Sequence, residues 1–373
     1  MEKLPNFTVV GRVGEEEKQK AEQDFTRRIT SDVRLTATKE EEKEIEENEI
    51  PKTSQQEKLF QFVNDELKEM QKASGVTPYE FPLRNVFIFS PEFFKEKISD
   101  LLGLAKIEKQ VVLLKQVSED FSLILTAFHE IFHCQGKIVS QLFSVEKNPE
   151  EIDKNTLRGG FGVYSAHKKD LEGLPHSHFR GVEEALAAKA EQEFRNKLIA
   201  LPEFSDIFER FYSPEGRQEI KKIMEQANVD FDEIEWFDIE KNEKKVFSYH
   251  YQRKVLNYVI QEAASDSQLS EEAVYQMFLK SHFTGIFGDL GKLVEKTFGL
   301  GSFRRLGDMK EDSNNSAIQT LEALQKMRLG HKREGVKKTK MLEEIAQLKK
   351  DKEQLEEVLR KIQADKTKGR DIL

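Results

Sequence analysis

The sequence predicts an α+β fold, mainly helical, with a small sheet beside its central helices. Three observations carry this. Most apolar residues between 59 and 303 recur at the three- and four-residue spacing of a buried helix face. Two short runs, Asn85-Val86-Phe87-Ile88-Phe89 and Gln110-Val111-Val112-Leu113-Leu114-Lys115, read instead as strands, being brief and rich in β-branched and aromatic residues. The aromatic residues, with 27 Phe and 1 Trp, fall mostly in the same 59–303 stretch, which marks the core.

A chain of 373 residues has room for more than one domain, and a main domain of ordinary size buries a full core. The 34% charged content and mean hydropathy of -0.63 are polar for a single globule and point to solvated segments at the ends. Residues 1–57 are rich in Glu and Lys, with a run from Lys39 to Glu49 that is almost wholly charged. Only Phe7-Thr8-Val9-Val10 and Val33-Arg34-Leu35 interrupt it, so this arm is expected to be largely disordered or loosely helical, a tail for a partner or a solvated spacer. The core domain is expected over 58–310.

Within it, Leu59, Phe60, Phe62, Val63, Leu67 and Met70 form one face of a helix that ends towards Gly75. Pro82 turns the chain into the first strand. Ser90-Pro91-Glu92 starts a helix, with Ser90 as cap, whose apolar face runs from Phe93 to Leu102 and stops at Gly103. The second strand leads into a further helix, for which Ser118 is a suitable cap and Glu119 and Asp120 suit the positive end of the dipole. Ile138, Val139, Leu142 and Phe143 suggest that this helix continues or bends beyond Gly136. Arg158-Gly159-Gly160-Phe161-Gly162-Val163-Tyr164 reads as a turn and short strand, and a loop with Pro175, His176 and His178 follows. From Arg180 a helix runs to about Leu198, and residues 204–303 are expected to be helical with polar connections.

Residues 311–373 are expected to be a linker, Glu311 to Ser316, and a helical tail without aromatic residues. Met341, Ile345, Leu348, Leu355, Leu359 and Ile362 alternate at the spacings of a coiled-coil seam, which Lys352 interrupts. The expectation is an extended helix from 317 to 365 with few contacts to the core, through which the chain forms a homo-oligomer.

Composition narrows the function classes. A net charge of -9 argues against a general nucleic-acid or anionic-membrane surface. The one cysteine, Cys134, excludes an intrachain disulfide and favours a reducing compartment; it reads as a small buried residue. Residues 1–20 lack the basic-then-apolar order of a signal peptide, and no apolar run approaches the ~18–20 residues of a membrane span. A cytoplasmic protein is expected.

The chemistry centres on Thr126-Ala127-Phe128-His129-Glu130-Ile131-Phe132-His133-Cys134-Gln135-Gly136. Phe121, Leu125, Phe128 and Phe132 recur at helical spacing around one H-E-x-x-H motif. On a helix, residues four apart lie on one face, so His129 and His133 can offer two imidazole nitrogens to one metal ion. Glu130 stands beside them, placed to take a proton from a water on that metal. A catalytic zinc takes a third protein ligand. An extension to H-E-x-x-H-x-x-G fits through Gly136, but the position of the histidine expected three residues later holds Val139. His167, His176 and His178 are loop candidates. Glu183 and Glu184, at the start of the helix fifty residues on, are carboxylate candidates.

This separation and setting resemble the gluzincin group of zinc metallopeptidases, the group that includes thermolysin, whose third ligand is a glutamate on a later helix. The likeness extends to a set of bacterial H-E-x-x-H proteins in which a Gly-Phe turn and a Tyr precede a Gly-hydrophobic-Asn-Glu segment. Here Arg158 to Tyr164 and Gly181-Val182-Glu183-Glu184-Ala185-Leu186 take those places, over a resemblance spanning about residues 80–305. It implies a zincin-like core, Glu184 as ligand with Glu183 at the Asn position, a bound Zn2+, and hydrolysis of a peptide or protein substrate. Thermolysin-like enzymes carry an acid four residues after the ligand glutamate; this chain has Ala188 there, so support for the histidines must come from elsewhere.

The tetrahedral oxyanion of peptide hydrolysis needs a further donor. Ser248-Tyr249-His250-Tyr251-Gln252-Arg253 is the best-supplied stretch, with Tyr251 the first choice and Tyr249 and His250 behind it. The alternative is a non-catalytic zincin-like scaffold working through its coiled-coil tail. The intact Glu130 favours the enzyme, because a degenerate site is free to lose that carboxylate.

Overall fold

The computed structural model describes residues 7–11, 13–30, 43, 45, 47–117, 119–145, 148–169, 175–227, 230–238, 243–333, 343 and 350. Strand β1 (Phe7–Gly11) comes first and is followed by helix α1 (Glu15–Thr30). Phe7 and Phe25 stack with ring centroids 3.8 Å apart, and Phe25 is buried against Ile138. The patch Phe7-Thr8-Val9-Val10 is therefore a strand with Val9 buried, not part of a disordered arm: it finds a strand to pair with and a ring to cover it. Val33-Arg34-Leu35 and most of the Lys39–Glu49 run lie outside the described residues.

Helix α2 (Ser54–Ala73) opens on a reciprocal cap, in which Gln56 N–H donates to the Thr53 hydroxyl and Thr53 N–H to the Gln56 side chain. Strand β2 (Val86–Phe89) leads to helix α3 (Pro91–Lys97), where Ser90 Oγ accepts from Phe93 N–H as a cap should. This helix is shorter than its apolar spacing suggests. Gly103 begins a strand, β3 (Gly103–Lys106), that pairs antiparallel with β4 (Val111–Lys115). As expected, the two strand-like runs share one sheet: β2 pairs parallel with β4, and the order is β2-β4-β3.

Helix α4 (Asp120–Gln135) carries the H-E-x-x-H motif and packs against β3 and β4 on one side and α2 on another. Apolar residues surround it, as in a helix buried on all sides. Ser118, the expected cap, lies outside the described residues. The helix ends at Gly136, and the chain continues as strand β5 (Ile138–Val145) rather than as more helix. Apolar residues at 138, 139, 142 and 143 suit either element; what decides is pairing, parallel to β1 and antiparallel to β6 (Asn148–Gly159). Strands β7 (Gly162–Lys169) and β8 (Pro175–His178) complete a sheet of order β1-β5-β6-β7-β8, so the expected loop at Pro175–His178 is an edge strand.

Helix α5 (Arg180–Leu198) crosses α4 and begins after Phe179, whose φ of 63° turns the chain into it. Helices α6 (Ser205–Tyr212) and α7 (Pro214–Ala227) follow. A hairpin of β9 (Ile234–Asp238) and β10 (Glu243–Val246) then interrupts a stretch expected to be helical throughout; Ile234, Glu235, Trp236 and Phe237 are buried in succession, as in a short strand covered on both faces. Helices α8 (His250–Ser267), α9 (Glu271–Thr284), α10 (Gly288–Phe298) and α11 (Ser302–Gly307) close the core around α4 and α5.

A last helix spans 314–333. Ala317, Thr320, Leu324 and Arg328 are buried along one face of it, and Arg328 forks onto Asp266 of α8 at 2.8 and 3.0 Å. Over 317–333 the expected free tail is thus part of the core. The six residues of the coiled-coil seam lie outside the described residues. Among the described residues, no helix is long and apolar enough to cross a membrane.

Candidate metal centre

The end of α4 is fixed from outside the helix. The Cys134 carbonyl, one of the acceptors a helix terminus leaves over, takes hydrogen bonds from the Tyr79 hydroxyl (2.9 Å) and Gln110 Nε2 (3.0 Å). Cys134 itself is buried, and burial pushes its thiol well above the usual range. One turn earlier, the face bearing His129 and His133 meets the start of α5, which presents Glu184 just past its first turn.

Glu184 Oε2 lies 3.3 Å from His129 Nε2 and 3.3 Å from His133 Nε2, and the three donor atoms all fall within 4.8 Å of one another. Bonds of about 2.0–2.1 Å to a tetrahedral metal set neighbouring donors roughly 3.3 Å apart. The two His–Glu184 separations fit a metal ion, while donors up to 4.8 Å apart would have to draw in by a few tenths of an ångström or more to share one.

The outer nitrogens are held as well. His129 Nδ1 is 3.0 Å from Glu191 Oε2, and His133 Nδ1 is 2.8 Å from Glu183 Oε1. Each imidazole thus faces a carboxylate oxygen at both nitrogens. A neutral ring has one N–H and satisfies one of them. Either both buried rings, with centroids 4.8 Å apart, carry a second proton, or a cation stands between the Nε2 atoms and Glu184. Carboxylates on Nδ1 are the usual outer partners of metal-binding histidines. Although burial opposes it, the neighbouring Glu184 and Glu183 raise His133 to about 9; Glu184 and Glu191 likewise raise His129 well above its usual value. Burial works the other way on Glu184, but His133 and His129 hold it well below the carboxylate range.

Glu183 is turned away from the Nε2 atoms. Besides His133 it meets His282 Nδ1 (3.0 Å, from α9) and accepts the Phe161 N–H (2.6 Å). His282 Nε2 in turn reaches the Phe132 carbonyl at 3.2 Å. This cradle leaves no room for a side chain at Gly160, where a Cβ would stand 2.4 Å from Glu183 Oε2 and where φ is +57°. The glycine-rich turn of β6–β7 is therefore a wall of the site.

Glu130, adjacent to the histidines, lies along β3: Gly103 leaves so little room that a Cβ there would come within 2.8 Å of Glu130 Cγ, and the Ala105 backbone donates to the carboxylate. Burial lifts this carboxyl above its usual range, with His129 and His133 pulling against it.

The structure places Tyr249, rather than Tyr251, at the site. The Tyr249 ring stacks on His129 at 6.2 Å, and its hydroxyl is set toward Glu184. Burial, then Glu184, push that hydroxyl far above its usual pKa, so it stays protonated. Tyr251, 39% exposed, lies beside His250 and Lys254 in the first turns of α8, whereas Tyr249 stands before the helix with a left-handed backbone that turns it elsewhere. His250 pairs with Glu233 at 2.9 Å. Of the loop histidines, His178 lies 3.4 Å from Asp308, away from the cluster; the side chains of His167 and His176 lie outside those described.

Glu191, His282 and Arg180 are the site residues that sequence reasoning missed. Glu191 could have been found by asking which acid shares the Glu184 face two turns on, instead of one. His282 and Arg180 carried no such signal. No family model, curated protein or solved structure matches the chain.

Proposed function

We propose that the chain is a zinc-dependent peptidase with a zincin-like core, in which His129, His133 and Glu184 bind the metal and Glu130 is the general base. The observation that carries this reading is the double carboxylate contact of each histidine, which one divalent cation satisfies without two buried imidazolium charges. Zinc at such a site acidifies a water to a pKa of about 7 and polarises a substrate carbonyl. Glu130 accepts a proton and returns it to the leaving amine, and its raised pKa suits a group that must do both near neutrality. Tyr249 is the better donor to the developing oxyanion than Tyr251, since it remains a neutral hydroxyl and sits over His129. Its backbone, at φ 60° in a non-glycine residue, holds a sparsely populated conformation of the kind that gathers at functional sites. A peptide or protein substrate in a cytoplasmic setting, and self-association through the seam beyond Met341, belong to the same proposal.

Metal content by elemental analysis, with a peptide-cleavage assay on the same samples, tests it. We expect one zinc per chain, lost in His133→Ala and Glu184→Ala. In Glu130→Gln zinc should stay while hydrolysis falls by roughly 10²-fold or more. Absence of zinc from unmutated protein purified without chelators would return the motif to a plain core helix.

A further inference from the structure

The stretch after α11 was expected to lead out of the domain. It runs instead along the first turn of α5. Phe179 N–H donates to the Gly307 carbonyl (2.6 Å) and Gly181 N–H to the Met309 carbonyl (3.1 Å). Gly181 is required there, because a Cβ would meet the Met309 oxygen at 2.6 Å. Between these two contacts stands Arg180. Its Nε and Nη2 reach Glu311 at 2.5 and 3.3 Å, and its Nη1 donates to the Tyr164 hydroxyl at 2.9 Å. The same Nη2 lies 3.4 Å from Glu184 Oε1, the oxygen that does not face the histidines. Gln252 Nε2, from α8, donates to the Glu311 and Lys310 carbonyls and fixes the strap from its far side.

We propose that Arg180 is a positioning residue for the third metal ligand, latched by Glu311. This rests on the metal-site reading above. A free carboxylate can turn either oxygen, or both, toward a metal. With Oε1 drawn to the guanidinium as an ion pair, Glu184 offers Oε2 to the two Nε2 atoms. The fork needs three separate donors in a fixed plane, which guanidinium supplies and ammonium does not. Hydrogen-bond partners of metal ligands are worth roughly 10–100-fold in metal affinity.

Zinc affinity, measured by chelator competition, and the visible spectrum of the cobalt-loaded protein test this. Four-coordinate cobalt absorbs strongly and higher-coordinate cobalt weakly, so the spectrum reports whether Glu184 binds by one oxygen or two. Arg180→Ala should weaken zinc by roughly 10–100-fold and reduce the cobalt band, with the circular dichroism of the metal-free protein unchanged. Arg180→Lys, which keeps the charge, should fail to restore either; full restoration would overturn the positioning role. Glu311→Gln is the milder variant and should shift both readouts in the same direction, whereas wild-type values there would remove the latch. If the unmutated protein takes up neither metal, the metal-site reading fails and this inference with it. If it takes up one, and Arg180→Ala matches it in affinity and spectrum, the positioning role alone fails.

Discussion

Glu191 holds His129 Nδ1 at 3.0 Å from a position seven residues, two helical turns, beyond Glu184. The acid one turn beyond, which thermolysin-like enzymes use, is Ala188 here, and Ala188 is fully buried. Glu191→Ala should therefore weaken zinc by roughly 10–100-fold, and an Ala188→Asp exchange on that background should not restore it, since space for the side chain is lacking. Chelator competition on the variants decides; unchanged affinity in Glu191→Ala would show that His129 is oriented by Glu184 alone.

Tyr249→Phe should lower kcat by roughly 10²-fold with zinc content intact, as loss of one oxyanion donor does. Tyr251→Phe should leave kcat within a factor of two or so, being exposed and off the site. Steady-state kinetics that reversed this order would return the donor role to Tyr251.

Glu235, on β9, is buried against Lys245 (2.6 Å) and Ser122 of α4 (3.3 Å). Burial raises its carboxyl to about 7, with Lys245 pulling it down and Glu191 pushing it up. A carboxyl raised above its unfolded value near 4.3 favours the folded state while protonated. That contribution is fully present below pH ~4 and is lost as pH rises through about 7. Urea unfolding at a series of pH values should show wild-type stability falling relative to Glu235→Gln between roughly pH 4.5 and 7.5. A difference independent of pH would mean that the carboxyl titrates normally.

Arg328 is the buried cation of the 314–333 helix, over the Phe298 ring and between Asp266 and Glu262. Glu262 and Asp266, each with a side chain 32% exposed, lose their main partner while Lys332 stays 4.0 Å from Asp266, so Arg328→Ala should cost about 1–2 kcal/mol. Denaturant unfolding checks this. A loss below about 0.5 kcal/mol would be the value for a surface pair and would detach this helix from the core energetically.

The parts of the site that could be read from sequence are those set by local geometry. The spacing of His129 and His133 fixes their common face whatever the rest of the chain does. Glu183 and Glu184 differ by one residue, about 100° around the helix, and only the placement of α5 against α4 decides which of them meets the histidines. His282 comes from a helix far along the chain, and nothing in its own neighbourhood marks it. In the fold, Ile138 to Phe143 satisfied both helical and strand spacing, so the choice fell to a partner strand at the other end of the sequence. Ala317 to Arg328 lacks aromatic residues, and its small buried face (Ala317, Thr320, Leu324) gave no sign of a packed helix.

The Arg180–Glu311 latch also orders events during synthesis. His129 and His133 are made early, and Glu184 follows soon after, but the carboxylate that anchors Arg180 is added only when most of the chain has been translated. At typical rates of about 5–20 residues per second, the histidine pair waits roughly ten to forty seconds for Glu311 to be joined. Through that interval the nascent chain holds the three inner donors without the clamp that restricts Glu184 to one oxygen. The appearance of Glu311, rather than of the motif helix, is when the proposed centre first has the anchor of its clamp.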